Sequence, residues 1–297
     1  MPPELLRPAT LADASQMLLA LGDDALALAG GTALILLLRQ RLIAPRYLVD
    51  LTGLRGLREI SADGDGGWRL GALTTLREVE RAPALRSALP LLSETYGTVG
   101  NVRIRHVATV GGNLAHGDHR LDPPAALLVL DARVRVARAD GQRELPLSGF
   151  FRGFEETALA RGELVAGVTI PAPPPGAVGA YVKLSALAAD DWPCVGAAAL
   201  VALDADARVA ALRVAVTAAH PVPLLIDDAA PLAVGRVASE GLMREVGALA
   251  AARVAPIADI RGSEWYKREV TSVAVRDALA RALERARAHP VPAGDRA

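Results

Sequence analysis

A proline-rich segment, Pro171-Ala-Pro-Pro-Pro-Gly-Ala177, divides the 297-residue chain into two unequal parts. Proline lacks a backbone N–H and fixes φ, so this segment can continue neither a helix nor a central strand. At roughly 100 to 200 residues per domain, the chain has the length of two domains. We therefore predict a first domain over residues 1–175, a second over residues 178–288 and a tail over residues 289–297.

The first part contains two stretches that predict a strand, a glycine turn and a helix in succession. Residues 25–29 are apolar and run into Gly30-Gly31-Thr32, after which residues 33–41 have a helical pattern. Residues 107–110 predict a strand that enters a second turn, Gly111-Gly112-Asn113. We predict two subdomains within this part, over about residues 1–55 and 56–175.

The second part has strand-like stretches first and helical stretches after them. The strands are predicted over residues 180–184, 195–204 and 209–218, and the helices over residues 240–253 and 263–288. This segregation is typical of an α+β domain, with an antiparallel sheet covered by helices. We assign the whole chain to the α+β class.

Composition excludes several kinds of protein. Basic and acidic residues balance at 33 each, which argues against a nucleic-acid binder. Cys194 is the single cysteine, so this chain alone can form neither a disulfide nor a four-cysteine iron–sulfur or zinc site. Residues 1–7 lack a signal-peptide pattern, and apolar stretches end well short of about 18 residues. We therefore expect a cytoplasmic protein without a membrane span.

The glycine turns are candidate anion sites. Neither a Gly-x-Gly-x-x-Gly nor a P-loop motif is present, which disfavours the common nucleotide folds. Bare backbone at the start of a helix can approach a phosphate closely. The segment from Thr109 to Asn113 adds a hydroxyl, two amides and a carboxamide, so the two turns together could bind a dinucleotide. Asp122 could accept hydrogen bonds from a ribose, or could simply cap the helix that begins at Pro123.

A second kind of site is suggested by His116, Asp118, His119 and Asp122. Imidazole and carboxylate groups at short spacing are ligands for zinc, manganese or iron. This cluster leaves open a metal-dependent hydrolase that would use His116, Asp118 and His119. The glycine turns, equally, could be purely structural in a flavin-free interaction scaffold.

Two long segments carry a family resemblance. Leu28-Ala-Gly-Gly-Thr-Ala-Leu34 and the stretch from Asn101 to Ala115, continuing to Ala132, resemble the flavin loops of the FAD-binding medium subunits of molybdenum hydroxylases. This family includes the medium subunit of carbon monoxide dehydrogenase and the flavin domain of xanthine dehydrogenase. The resemblance implies a two-part α+β FAD-binding domain of the vanillyl-alcohol-oxidase (PCMH) type, followed by a smaller α+β C-terminal domain.

The resemblance also implies the roles of individual residues, none of them catalytic and none a metal ligand. Asp122 would contact the ribose or adenine end of FAD, Val99 and Val165 would lie near the nucleotide, and Lys183 would approach the flavin from the second domain. Only two of the 33 basic residues are lysines, which independently hints that a compact ammonium is needed at Lys183. The pyrophosphate would be held by Ala29, Gly30, Gly31, Thr32, Ala33, Leu34, Thr109, Gly111, Gly112 and Asn113.

The implied function is electron transfer. A large partner would carry the molybdenum cofactor, a small partner would carry [2Fe-2S] clusters, and the FAD of this chain would pass electrons to NAD, oxygen or a quinone. A dimer of such three-subunit units is one assembly compatible with this prediction. A stand-alone FAD-dependent oxidase is the alternative that uses the same loops, although it would need its own substrate pocket.

Two positions depart from the family pattern. His119 stands where the family usually has proline, and Trp192 follows Ala189-Asp-Asp191 in a segment that differs in composition among members. Since that segment is implied to lie close to the isoalloxazine ring, we expect local differences there.

Overall fold

The computed structural model describes residues 2–288, and the predicted tail over residues 289–297 lies outside them. The strands are β1 (Glu4–Leu6), β2 (Ala25–Leu28), β3 (Tyr47–Asp50), β4 (Ile60–Ala62), β5 (Trp68–Gly71), β6 (Arg133–Arg138), β7 (Gly141–Pro146), β8 (Phe151–Gly153), β9 (Glu156–Thr157), β10 (Leu164–Ile170), β11 (Val178–Leu184), β12 (Val195–Leu203), β13 (Val209–Thr217) and β14 (Leu224–Leu225). The helices are α1 (Leu11–Leu21), α2 (Leu34–Arg39), α3 (Leu76–Arg81), α4 (Pro83–Ala88), α5 (Pro90–Gly97), α6 (Val102–Val107), α7 (Val110–His116), α8 (Pro123–Val129), α9 (Ala229–Ala233), α10 (Glu240–Arg253) and α11 (Glu264–Ala288).

The N-terminal sheet is small and parallel, in the order β1-β3-β2. Helix α1 contacts β2 and β3. It begins with a capping box in which Thr10 Oγ1 accepts from Asp13 N and the Asp13 carboxylate accepts from Thr10 N. Strand β2 leads directly to the first glycine turn and α2.

A five-stranded antiparallel sheet follows, in the order β4-β5-β10-β6-β7. Its central strand, β10, is buried along most of its length, whereas β6 alternates as its arginine pattern predicts. The largest apolar core lies between this sheet and helices α3 to α8. The second glycine segment, Gly111-Gly112-Asn113, lies among these helices.

A four-stranded antiparallel sheet, β11-β12-β13-β14, connects the two parts of the chain. Both faces of β12 are buried because its side chains alternate between two cores. Ala198 and Leu200 belong to the core beside α5 and α8, while Ala197, Ala199 and Val201 belong to the core beside α10 and α11. The α+β prediction is confirmed, with an antiparallel sheet and helices in the C-terminal part.

One element prediction is wrong. Residues 102–107 form α6 instead of leading into a strand at 107–110, and Thr109 makes an isolated bridge to Thr75. The reason is a local cap: Asn101 Oδ1 accepts hydrogen bonds from the amides of Arg103 (3.0 Å) and Ile104 (3.2 Å). Gly111, Gly112 and Asn113 consequently lie in the first half of helix α7 rather than in a turn.

Candidate functional site

The two glycine segments lie against each other. A Cβ added to Gly30 would be 2.0 Å from the carbonyl oxygen of Val107, a distance that no side chain tolerates. A Cβ added to Gly112 would lie 3.9 Å from the Cβ of Ala29. Because β2 ends just before Gly30 and α6 ends at Val107, the fold brings together the two segments that the sequence predicted to act together.

The first segment has the open backbone expected of an anion site. Residues 29–34 are half-buried, and Gly31 has a φ of +69°, which favours glycine. Helix α2 begins at Leu34, and its N-cap, Ala33, has no side chain that could cap it. The first amides of a helix have no acceptor within the helix, but that of Ile35 already donates to Gly31 O (2.9 Å), so only part of the first turn of α2 is left to donate to a ligand.

The second segment is more occupied than the sequence suggested. The amide of Gly111 donates to Ala72 O (2.8 Å), and that of Gly112 donates to Thr109 Oγ1 (3.1 Å). The prediction that both glycines offer free amides is therefore wrong. Asn113 is different: its side-chain Oδ1 is buried and has no hydrogen-bond partner among residues 2–288.

A cavity of about 650 Å³ lies near the residues that precede helix α6. Its lining comes from Gly97, Thr98 and Gly100 on one side, and from Lys183, Ser185 and residues 187–190 on the other. Helix α6 runs from the Gly100 rim of this cavity to the Val107 contact with Gly30, and six helical residues span about 9 Å. The cavity and the glycine contact therefore lie at the two ends of one short helix.

Lys183 lies at the base of this cavity in a fixed position. Its Nζ donates to Thr98 O (2.9 Å) and to Asp122 Oδ2 (3.2 Å), and only 7% of its side chain is exposed. The cation therefore belongs to the cavity wall. Lys183 is carried by β11, whose pairing with β12 positions it.

Asp122 is a buried partner of Lys183 rather than a helix cap. Its Oδ1 accepts from the Tyr181 hydroxyl (2.6 Å), and its side chain makes no capping bond to α8. The capping alternative is therefore wrong, because the buried cation and hydroxyl compete successfully for the carboxylate. Burial raises the pKa of Asp122 to about 6, although Lys183 and Tyr181 oppose that shift. Since Asp122 and Lys183 touch, they cannot contact opposite ends of an extended dinucleotide.

The two predicted valines have different positions. Val99 is half-buried between the cavity-lining residues Thr98 and Gly100, whereas Val165 is buried in the core formed around β10. Sequence reasoning missed Thr98 and the lining residues 185–190. Gly97 and Gly100 flank Thr98 closely, and this glycine spacing was the signal that could have identified that rim.

The metal-like cluster has a different composition from the predicted one. Ligand atoms of His116, Asp118 and Glu155 lie within 4.8 Å of one another, and His119 is not part of this group. The ring of His119 instead packs edge-on against Phe154. Arg120 donates to both oxygens of Asp118, and those bonds lower the pKa of Asp118 although burial opposes them. A guanidinium on a would-be ligand competes with a metal cation, so this geometry does not favour the hydrolase alternative.

Two family models together cover most of the chain. The FAD binding domain in molybdopterin dehydrogenase matches residues 2–173, and the CO dehydrogenase flavoprotein C-terminal domain matches residues 180–282. The chain belongs to the FAD-binding medium subunits of the molybdenum hydroxylases. As such a medium subunit, it is an FAD-binding oxidoreductase component, and the recognition made from residues 28–34 and 101–132 is confirmed.

Relatives support this membership over nearly the full length. The medium subunit is 34% identical over 281 residues to the carbon monoxide dehydrogenase medium chain of Afipia carboxidovorans, covering 95% of this chain and 96% of that one. It is 29% identical to the xanthine dehydrogenase FAD-binding subunit of Escherichia coli O157:H7, covering 93% and 94%. The solved structure of reconstituted CO dehydrogenase from Oligotropha carboxidovorans superimposes with a TM-score of 0.92 at 32% identity, covering 96% of this chain and all of that one.

The residues of the medium subunit fit FAD. The contact at Gly30 keeps side chains away from the junction, Asn113 Oδ1 is a buried acceptor without a partner, and the cavity supplies space of the size that small-molecule sites have. Within residues 2–288, none of the helices combines the length and the apolarity needed to cross a bilayer.

Proposed function

We propose that this medium subunit receives electrons from [2Fe-2S] clusters on a small partner and passes them to an external acceptor. The electrons would come from a substrate hydroxylated at a molybdenum cofactor on a large partner. The single cysteine supports placing the clusters elsewhere, since a cluster needs several thiolates. The observation that carries the proposal is that the contact between the two glycine segments and the Lys183 cavity lie at the two ends of α6.

Residues at the glycine contact would hold the pyrophosphate. Residues 29–34 contribute half-buried, glycine-containing backbone at the start of α2. Thr109, Gly112 and Asn113 would complete this half of the site, with the Asn113 side chain as its free polar group. Gly111 would act sterically, because a Cβ there would lie 2.6 Å from the Cβ of Ala72 and its amide is already used.

Lys183 and Val99 would lie at the flavin end of the site. FAD, when bound, supplies the redox chemistry, and the protein holds and tunes it. Lys183 presents an ammonium to the cavity, while Asp122 lies behind it and is almost wholly buried. Asp122 thus tunes the charge of Lys183 instead of contacting a ribose. Val165, within the core, would support the site without touching the nucleotide.

Three further expectations belong to this proposal. The division into domains over residues 1–175 and 178–288 agrees with the separate family matches. A cytoplasmic location and a dimer of three-subunit units stay predictions from the sequence.

Binding of FAD by the purified chain is tested with a matched pair of glycine variants. Gly30→Ala forces a methyl group against Val107 O, whereas Gly53→Ala enters open space with nothing within 4 Å. We expect titration by visible absorbance to show FAD binding weakened at least about tenfold in Gly30→Ala, which corresponds to ~1.4 kcal/mol. Gly53→Ala should bind as the unaltered chain does. Equal binding by both variants would contradict the assignment of the glycine contact to FAD.

Electron transfer is tested by anaerobic mixing with the small partner. The FAD-loaded chain is mixed with chemically reduced iron–sulfur subunit, and the visible flavin band is followed. Rapid bleaching is expected. A chain that the reduced partner leaves oxidised, but that an organic substrate reduces without partners, would instead be a stand-alone oxidase.

A further inference from the structure

The segment that forms one wall of the cavity is an exposed hairpin loop. Residues 185–190, here called the cavity loop, connect β11 to β12 and are all exposed. Two backbone bonds shape its base, from Asp191 N to Ala188 O (3.1 Å) and from Cys194 N to Leu184 O (2.7 Å). Six consecutive exposed residues with so few internal bonds need outside anchors to keep one conformation.

One end of the cavity loop is anchored by an arginine from far along the chain. Arg261 donates to both oxygens of Asp191, from Nη2 to Oδ1 (2.7 Å) and from Nε to Oδ2 (3.0 Å). Only 9% of the Arg261 side chain and 19% of the Asp191 side chain are exposed. Two-pronged, charge-assisted bonds of this kind fix direction as well as distance. The hydrogen bonds from Arg261 lower the pKa of Asp191, so the pair persists at neutral pH.

Arg261 is itself held by a buried ion pair at the start of α11. Lys267 is fully buried and donates from Nζ to Asp259 Oδ1 (2.9 Å) and to Ile257 O (2.9 Å). Asp259 Oδ1 also accepts from the backbone amide of Arg261 (2.8 Å). The long helix α11 therefore orients Arg261, and Arg261 orients Asp191.

A second anchor comes from the first part of the chain. The guanidinium of Arg120 lies 5.1 Å from the centroid of the Trp192 ring, immediately after Asp191. Arg120 is held in turn by Asp118, which accepts from its Nε (2.9 Å). Arg120 from the first part of the chain and Arg261 from the second part thus both hold the segment that follows the cavity loop. Lys183 holds the N-terminal end of the loop.

We propose that Arg261 is a positioning residue that holds the cavity loop against the cofactor cavity through its two hydrogen bonds to Asp191. The proposal rests on the proposed function in one respect, namely that the cavity receives the flavin. Loss of the Arg261–Asp191 ion pair would let the cavity loop open. Bound FAD would then dissociate faster, and a protease would cleave the loop more readily. The ion pair between Lys267 and Asp259 would supply the rigid base for this action.

The test uses variants of both partners in the Arg261–Asp191 ion pair, namely Arg261→Gln, Asp191→Asn, the double variant and the conservative Arg261→Lys. The matched control is Arg236→Gln, because Arg236 also forms a two-pronged pair, with Glu245, on an exposed surface. Two rates are measured on the full chain: thermolysin cleavage before Leu187, and release of FAD followed by flavin fluorescence. Circular dichroism melts show whether each variant is folded.

We expect Arg261→Gln and Asp191→Asn each to raise both rates about tenfold, a change of the size that one charged hydrogen bond supports. The double variant should show no further increase, since both changes break the same contact. Arg261→Lys keeps the positive charge and should therefore raise the two rates less than Arg261→Gln does. Arg236→Gln should leave both rates unchanged. Unchanged cleavage in both single variants, or fully additive effects in the double variant, would overturn the proposal.

The two measurements separate this proposal from the function on which it rests. If the unaltered chain binds no FAD, the proposed function fails, yet the cleavage rates still show whether the Arg261–Asp191 ion pair holds the cavity loop. If FAD is released at the same rate from all folded variants while cleavage rises, the Arg261–Asp191 ion pair holds the loop but does not retain the cofactor. That result overturns the proposal.

Discussion

The two lysines of the chain are both buried beside an aspartate, but their surroundings differ. Lys183 lies 3.2 Å from Asp122 in the wall of the cavity, where its side chain keeps a small exposure. Lys267 lies 2.9 Å from Asp259 at the start of α11 and is fully buried. Each also donates to a backbone carbonyl, that of Thr98 or of Ile257. The first pair faces a ligand space, and the second faces structural elements.

The aspartates show what this difference means for charge. Burial dominates at Asp122 and raises its pKa to about 6. At Asp259 burial also opposes ionisation, but the hydrogen bonds from Lys267 and the Arg261 amide lower its pKa overall. The cavity pair can therefore change protonation near neutral pH, whereas the helix pair stays ionised. The same pair of residue types therefore lies at the cavity in one place and at the start of α11 in the other.

The largest effect is expected from Lys267→Met. This change leaves the Asp259 carboxylate and the Ile257 carbonyl without their buried donor, and breaking such a pair costs about 3–5 kcal/mol. Denaturant titration should show this loss of unfolding free energy. Arg244→Gln is the control, since the exposed pair of Arg244 with Glu240 is worth below about 0.5 kcal/mol. A loss in Lys267→Met no larger than in the control would remove its supporting role.

The pH dependence of stability should differ in sign between the aspartates. The folded state binds the Asp122 proton more tightly than the unfolded state, so this group weakens the fold as pH rises from about 4 to about 6. At 1.36 kcal/mol per pKa unit, the change amounts to roughly 3 kcal/mol. Asp259, whose pKa is lowered, instead stabilises the fold above the ordinary carboxyl range and loses that contribution as pH falls through its lowered pKa.

Unfolding free energies of Asp122→Asn and Asp259→Asn, measured between pH 3 and 8, check these signs. Asp122→Asn should remove a decline with rising pH, and Asp259→Asn should remove an increase with rising pH. Parallel curves for the two variants would show that the environments do not differ as described.

The smallest effect is expected on the flavin potential. Lys183→Met removes the positive charge nearest the cavity and should lower the potential by on the order of 30 mV, equivalent to ~1.4 kcal/mol for a two-electron couple. Asp122→Asn leaves the ammonium uncompensated and should raise the potential. Equilibrium dye titration of both FAD-loaded variants measures the shifts. Potentials that move in the same direction, or do not move, would deny Lys183 a tuning role.

Local pattern was sufficient for much of the secondary structure. The strand-like stretches over residues 195–204 and 209–218 and the helical stretch over residues 240–253 predicted β12, β13 and α10 to within one residue at each end. These elements follow sequence because their signals lie within a few residues of one another. The β-branched residues Val107, Thr109 and Val110 misled for the same reason, since α6 includes Val107 and α7 begins at Val110 despite their strand preference.

The sequence by itself determined the family, because two long glycine-containing segments carry its flavin loops, and it singled out Lys183. Only the tertiary structure decided which groups meet: Asp122 with Lys183, Glu155 with His116 and Asp118, and Arg261 with Asp191 across 70 residues. A hydrogen bond or ion pair depends on distance in space, and distant segments gain that proximity only when sheets and helices bury their apolar faces. Lys267 was therefore visible in the sequence as a rare residue, but its partner Asp259 was not.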